Sequence, residues 1–228
     1  MPELASNFSV ADSATLGSIR GVCQAANRGI GMQNTLHSRK QDLVRDAIYD
    51  AAIDLFARDG FDETTLEDVS KAAGVSARTL YRYFATRDEL LAHGIVGYGK
   101  QLVVAVKECS PKLSALETVR YAALAATQYT IAQPRIREII KISATHPSVR
   151  QAQQSGIVGI QARLAEAFAA RLRNASMDDL KPRMLASVTL MVVERAIPLW
   201  YQGECKDAPT AVKQVFTNLS RLFSEKIY

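Results

Sequence analysis

Residues 76–84 read Ser-Ala-Arg-Thr-Leu-Tyr-Arg-Tyr-Phe, and these types suit one chemistry, the donation of hydrogen bonds to a polyanion. The guanidinium groups of Arg78 and Arg82 can pair bidentately with a guanine edge or clamp a phosphate. The hydroxyls of Thr79, Tyr81 and Tyr83 can donate to phosphate oxygens. Leu80 and Phe84 are four apart, so on a helix they share a face and can pack inward on Val69 and Phe56. That turns Ala77, Arg78, Thr79, Tyr81, Arg82 and Tyr83 outward. Arg87 follows at the start of the next helix, where a helix N-terminus also favours phosphate. From Val69 to Arg87 there is no acidic residue, against four basic ones, Lys71, Arg78, Arg82 and Arg87.

Catalytic chemistry finds no comparable constellation. The histidines are His37, His93 and His146, with no HExxH, GxSxG or P-loop spacing. The cysteines, Cys23, Cys109 and Cys205, are odd in number, far apart and without a CxxC. A disulfide framework and a cysteine-rich zinc site are therefore excluded, and reduced, inert thiols are expected. No catalytic residue, metal ligand or cofactor is expected.

Helices must position the basic face, because apolar residues recur at helical spacing throughout and no strand pattern competes. Val44, Ile48, Ala51, Ala52, Leu55 and Phe56 make an amphipathic helix from Arg39, ended by Gly60. Asp42, Asp46, Asp50 and Asp54 fall down one of its faces, as a solvated stripe. Thr64-x-x-Glu67 reads as a capping box opening a second helix, with Leu66, Val69 and Ala73 inward. Gly74 breaks that helix and Ser76 caps a third, Ala77 to Phe84. Thr86-x-x-Glu89 opens a fourth, with Leu90, Leu91 and Ile95 apolar. Gly94, Gly97 and Gly99 weaken it, making either a bent connector or a hinge. Helices follow over Ser114–Gln133, Pro134 to about Ala144, Ser148–Arg173, Pro182–Trp200, and from Pro209 along Val212, Val215, Phe216, Leu219, Leu222 and Phe223. His146–Pro147 reads as a turn.

Two short helices around Gly74 form a helix-turn-helix, a unit that sets its second helix in the major groove. The stretch Leu55-Phe-Ala-x-x-Gly-Phe-x-x-Thr-Thr-Leu-x-Asp-Val69, then Ala72-Ala-Gly-Val-Ser-x-Arg-Thr-Leu-Tyr-Arg-Tyr-Phe84, then Arg87-Asp-Glu-Leu-Leu91, resembles the DNA-binding domain of TetR-family transcriptional regulators. The resemblance covers Arg45 to Ile95. It implies an all-α fold: an N-terminal three-helix reader, then a divergent helical domain that dimerises and binds a small effector. It also places Thr65, Arg78, Thr79, Tyr83 and Arg87 at the family's DNA contacts, and Tyr81 at a position often partly packed. With the outward residues, the candidate contacts are Thr65, Ser76, Ala77, Arg78, Thr79, Tyr81, Arg82, Tyr83 and Arg87.

Across the chain, 228 residues with 48% hydrophobic and 22% charged side chains exclude whole-chain disorder. The net charge of +5 is distributed unevenly: 0 over residues 1–38, −2 over 39–106 and +7 over 107–228. The net excess thus lies outside the expected reader. Residues 1–38, rich in Ser, Ala, Gly, Asn and Gln, read as a disordered extension, with Met32 as an alternative start. The expected organisation is this extension, a reader over 39–100 with its helix-turn-helix at about 65–84, and an effector-binding and dimerisation domain over 101–228. The last two helices, about 182–201 and 209–225, are apolar enough to form half of a four-helix homodimer interface. Tyr121, Gln128, Tyr129, Phe168, Met191 and Trp200 mix aromatic and polar groups and are candidate effector liners. The apolar run Met184–Trp200 is interrupted by Glu194, Arg195 and Pro198, and no basic start precedes an apolar core in the first 30 residues. No membrane span and a cytoplasmic location are expected. The function expected is a dimeric regulator, a repressor released from a pseudo-palindromic double-stranded operator by a small molecule. The alternative is a helical carrier or enzyme with an idle helix-turn-helix.

Overall fold

A computed structural model describes residues 36–172 and 175–224. Among them it contains ten α-helices and no strand, as the helical periodicity requires. The helices are α1 (Leu36–Asp59), α2 (Leu66–Ala72), α3 (Ala77–Tyr83), α4 (Arg87–Ala92), α5 (Gly94–Glu108), α6 (Ala115–Ile131), α7 (Ile136–Thr145), α8 (Pro147–Arg171), α9 (Leu180–Tyr201) and α10 (Ala208–Ser224). The expectation for residues 1–35, Met32 included, lies outside the described residues; residues 36–38 already belong to α1.

The described chain forms two compact units. One contains α1–α4, the first turns of α5, α7 and α8 up to Ile160; the other contains α5 from Lys100, α6, α8 from Gln161, α9 and α10. The first unit is built around Ile48, Ala52, Leu55, Phe56, Leu66, Val69, Leu80, Phe84, Leu90 and Leu91, all buried. These are the inward positions of the helical patterns. Val149 of α8 is fully buried in the same cluster, and Ile139 and Ile142 of α7 pack against it. The reader's core is therefore closed by residues about 50 positions downstream of α4.

Polar contacts reinforce that closure. Arg135, the α7 N-cap, holds a left-handed φ of 56°, and its Nε pairs with Asp54 Oδ1 at 2.8 Å. The Ser148 hydroxyl donates to Asp88 at 2.6 Å. His146 does more than end a turn. Its ring meets Phe61 edge-on at 4.7 Å, and its Nε2 lies 3.3 Å from Asp62 Oδ2.

The glycines at the start of α5 serve close packing. A Cβ on Gly94 would collide with the Tyr49 hydroxyl, and one on Gly99 would lie 2.7 Å from Ile160 Cγ1. Neither the connector nor the hinge reading is needed for these two. The side chain is missing because a neighbour occupies its place. Gly74 has a different reason, a φ of 66° in the turn between α2 and α3.

The acidic stripe on α1 is only partly a solvated face. Asp46 Oδ1 lies 3.1 Å from His93 Nε2, and Asp54 pairs with Arg135. Between them, burial and then the charges of Asp46 and Asp54 push the Asp50 carboxyl above its ordinary value, against an opposing pull from His93. The folded chain thus holds a proton on Asp50 more readily than the unfolded chain does. Ionisation opposes folding at neutral pH, and that penalty fades as pH falls through the raised value. Asp50→Asn is expected to raise the melting temperature at pH 7 and to leave it unchanged near pH 3. A lower melting temperature at pH 7 would contradict this.

In the second unit α6, α9 and α10 pack on one another. At the end of α8, Arg171 Nη1 donates to the carbonyls of Val106 and Cys109, at 3.2 and 3.1 Å, and Nη2 to that of Ser110 at 2.8 Å. Helix α9 begins two residues before Pro182, behind the N-cap position Asp179. This 22-residue helix contains an 18-residue window of mean hydropathy 1.3, which by length and composition alone is enough to cross a membrane. One stripe, Ala186, Thr189, Leu190, Val193 and Ala196, is buried, whereas Met184, Ser187, Glu194 and Arg195 are exposed. Burial from several directions, as its composition suggests, is not reached within one chain. Cys109 and Cys205 are buried, and burial pushes the Cys205 thiol up, as expected of inert thiols.

Candidate nucleic-acid interface

The site is assembled by caps. Thr65 caps α2: its Oγ1 accepts from the Asp68 amide at 3.1 Å, and Asp68 Oδ2 accepts from the Thr65 amide at 3.2 Å. The capping box therefore lies one residue later than the Thr64–Glu67 spacing suggests. Thr64 instead donates to Gly60 O at 2.7 Å. Donation from the Thr65 hydroxyl and amide holds the Asp68 carboxyl below its usual range. Ser76 caps α3, accepting from the Thr79 amide at 3.1 Å, with its hydroxyl 2.8 Å from that of Thr79. At α4, Thr86 accepts from the Glu89 amide at 3.1 Å, but Glu89 reaches back to Ala85 N at 3.0 Å rather than to Thr86.

With Leu80 fully buried and Phe84 4% exposed, α3 presents the side opposite to the core. Ala77, Arg78, Tyr81 and Arg82 are exposed there, and Thr79 and Tyr83 are half-buried. Arg78 makes no hydrogen bond or ion pair among the described residues, so its five donors remain available. Tyr81 donates to Glu67 Oε1 at 2.8 Å; that bond to a carboxylate pushes the phenol up. The Tyr83 ring has two guanidinium neighbours, Arg82 at 5.0 Å and Arg45 of α1 at 5.5 Å from its centroid. Arg82 Nη2 also reaches the Tyr83 hydroxyl at 3.4 Å. Arg45 is the member of this cluster that sequence reasoning did not select. Nothing in its spacing marks it, because it is 38 residues from Tyr83 and only tertiary packing brings them together.

Arg87 is placed differently from the rest. Its Nη1 donates to the carbonyls of Phe61, Asp62 and Thr64 at 2.6, 2.7 and 3.0 Å, and the guanidinium lies 5.0 Å from the Phe61 ring centroid. It ties the α1–α2 loop to the start of α4. A shallow hollow of about 400 Å³ opens beside it, lined by residues including Thr65, Glu67, Tyr81 and Asp88. None of the six candidate effector liners borders that hollow. Those six lie in the second unit: Tyr121, Gln128 and Tyr129 on α6, Phe168 on α8, Met191 and Trp200 on α9. Tyr121 and Phe168 are core, at 8% and 2% exposure, and the other four are half-buried.

A capped pair of short helices around a left-handed glycine, presenting arginines on the second, defines a helix-turn-helix DNA-binding protein. Comparison with known proteins agrees. Residues 48–93 match the model of bacterial regulatory proteins of the tetR family, and residues 113–224 match the MftR C-terminal domain. The chain belongs to the TetR family of transcriptional regulators, and it is a regulator rather than an enzyme. It is 25% identical over 179 residues, 78% of this chain and 90% of the relative, to a protein of Mycobacterium tuberculosis (strain ATCC 25618 / H37Rv) whose name calls it a mycofactocin biosynthesis transcriptional regulator, MftR. It is 27% identical over 177 residues, 73% and 76% of the two chains, to the HTH-type transcriptional regulator TcmR of Streptomyces glaucescens. The fold is similar to that of NalD, the secondary repressor of the MexAB-OprM multidrug efflux pump in Pseudomonas aeruginosa. The TM-score is 0.52 at 20% identity, over 79% of this chain and 96% of that one.

Proposed function

We propose that the chain acts as a homodimeric, sequence-specific repressor, released from a pseudo-palindromic operator by a small molecule bound in its second unit. The observation that carries the reading is the exposed, unengaged Arg78 on a capped helix whose opposite side is locked into the core. In that reading Arg78 and Thr79 read base edges, while Arg82, Tyr83 and Arg45 form a phosphate clamp. The Thr65 hydroxyl and the Arg87 guanidinium, engaged in a cap and a loop tie, support the helices that carry those contacts. Dimerisation through α9 and α10 is supported by apolar side chains left in solvent there: Leu180 at 72%, Met184 at 56% and Leu222 at 60% exposure. A two-fold axis then suits half-sites about one helical turn apart. Release requires that the ligand favour the conformation that does not fit DNA.

Selection from a random duplex library, with the purified protein at roughly 0.15 M salt, tests this. An enriched inverted repeat, bound by two chains, is the expected result. Salt-sensitive binding without an enriched sequence would overturn it.

A further inference from the structure

Six polar side chains are buried among the described residues: Thr64, Ser70, Gln101, Thr118, Thr127 and Thr189. The hydroxyls of the five other than Gln101 each donate to a backbone carbonyl one turn back, Thr118 to Ser114 O, Thr127 to Ala123 O and Thr189 to Leu185 O in the second unit, Thr64 and Ser70 likewise in the first. Gln101 is the exception. It is 7% exposed, and its Oε1 has no hydrogen-bond partner among the described residues. On α5 it shares a helix face with Val104 and Ala105, both buried. A buried amide carbonyl without a partner loses its water hydrogen bonds without replacement, which opposes folding. Leucine or methionine would fill the position without that cost. Where a fold keeps such a penalty, a ligand that repays it is the physical reason to look for.

We propose that Gln101 Oε1 is the polar anchor of the effector site, accepting a hydrogen bond from a small, otherwise apolar molecule that carries one O–H or N–H donor. This rests on the reading of the second unit as ligand-binding, and it names a residue and a ligand chemistry within it. Its partners differ from the six aromatic and polar liners expected from sequence, because Gln101 lies on α5, outside that set. A site built around one buried acceptor discriminates strongly against a ligand of the same shape that lacks the donor, since the acceptor would then stay unpaired.

The test uses the full chain, its Gln101→Leu variant, and phenol and toluene as a matched pair of probes. Without any probe, Gln101→Leu is expected to melt higher than the parent, because the orphan acceptor is gone; a lower melting temperature would show that the carbonyl is satisfied and would overturn the proposal. Phenol is expected to raise the parent's melting temperature more than toluene does at equal concentration, with about tenfold tighter binding by titration calorimetry. Gln101→Leu should erase that preference. Equal effects of the two probes on the parent, no effect included, or a preference kept by Gln101→Leu, overturn it. Operator release is read separately with the selected duplex. A Gln101-dependent preference for phenol that leaves the duplex bound would retain the anchor and remove the effector-release reading.

Discussion

Replacing Arg78 and Tyr83 together by alanine is expected to weaken binding to the selected operator by about 100-fold or more. A base-reading arginine contributes about 1–3 kcal/mol of discrimination, and disrupting a phosphate clamp adds a sequence-independent loss. The two parts are separable. Arg78→Ala alone should relax specificity at one position of each half-site, because Arg78 is exposed and has no structural partner among the described residues. Tyr83→Ala alone should weaken operator and unrelated duplex alike and flatten the salt dependence, because the Tyr83 ring gathers the guanidinium groups of Arg45 and Arg82 within 5.5 and 5.0 Å of its centroid. Electrophoretic mobility shift at two salt concentrations reads both. The double variant should keep its helical content, since Leu80 and Phe84 rather than these two lock α3 to the core. Operator-specific binding retained by a folded double variant would move the reading face elsewhere.

Val149→Asp is expected to remove most of the stability of the first unit, and DNA binding with it. Val149 is fully buried, and it joins the cluster that includes Leu80 of the recognition helix and Leu90 of α4. An unpaired carboxylate there costs several kcal/mol even when it protonates, a large share of the roughly 5–15 kcal/mol that holds a domain together. Val158→Asp, nine residues along the same helix and 69% exposed, is the control and should change little. Urea unfolding followed by circular dichroism compares the two. If Val149→Asp matched the parent, residues 133–160 would not complete the reader, and a reader ending near residue 100 would suffice.

The contrast between those two valines also marks the limit of what can be read along a chain. Helical periodicity identifies Val149 only as one apolar residue on an amphipathic helix, because period reports which side of a helix is buried and not against what. Closure of the reader by α7 and α8 depends on contacts between residues separated by some 60 to 85 positions, such as Asp54 with Arg135 and Asp88 with Ser148. The same limit explains Arg45 and His146. An arginine in the first helix and a histidine before a proline look like surface and turn until the fold sets one against Tyr83 and the other against Phe61 and Asp62. Gly94 and Gly99 likewise read as flexible in sequence and prove to be contact points, because only a neighbour's position distinguishes a missing side chain from an excluded one.

Local physics, by contrast, was legible. The helices, the caps of α2, α3 and α4 to within one residue, the Gly74 turn and the inward placement of Val69, Leu80 and Phe84 all follow from interactions within four residues and from a 3.6-residue period. Those signals are short-range, so an all-α chain with a helix-turn-helix and an outward Arg78 can be read from local spacing alone. Tertiary packing is what makes Arg87 a loop tie, sets α7 and the first half of α8 with the reader, and leaves Gln101 Oε1 buried without a partner among the described residues. Each of these depends on which distant group stands within about 3–4 Å, the range over which hydrogen bonds and packing act, and sequence spacing carries no record of that distance.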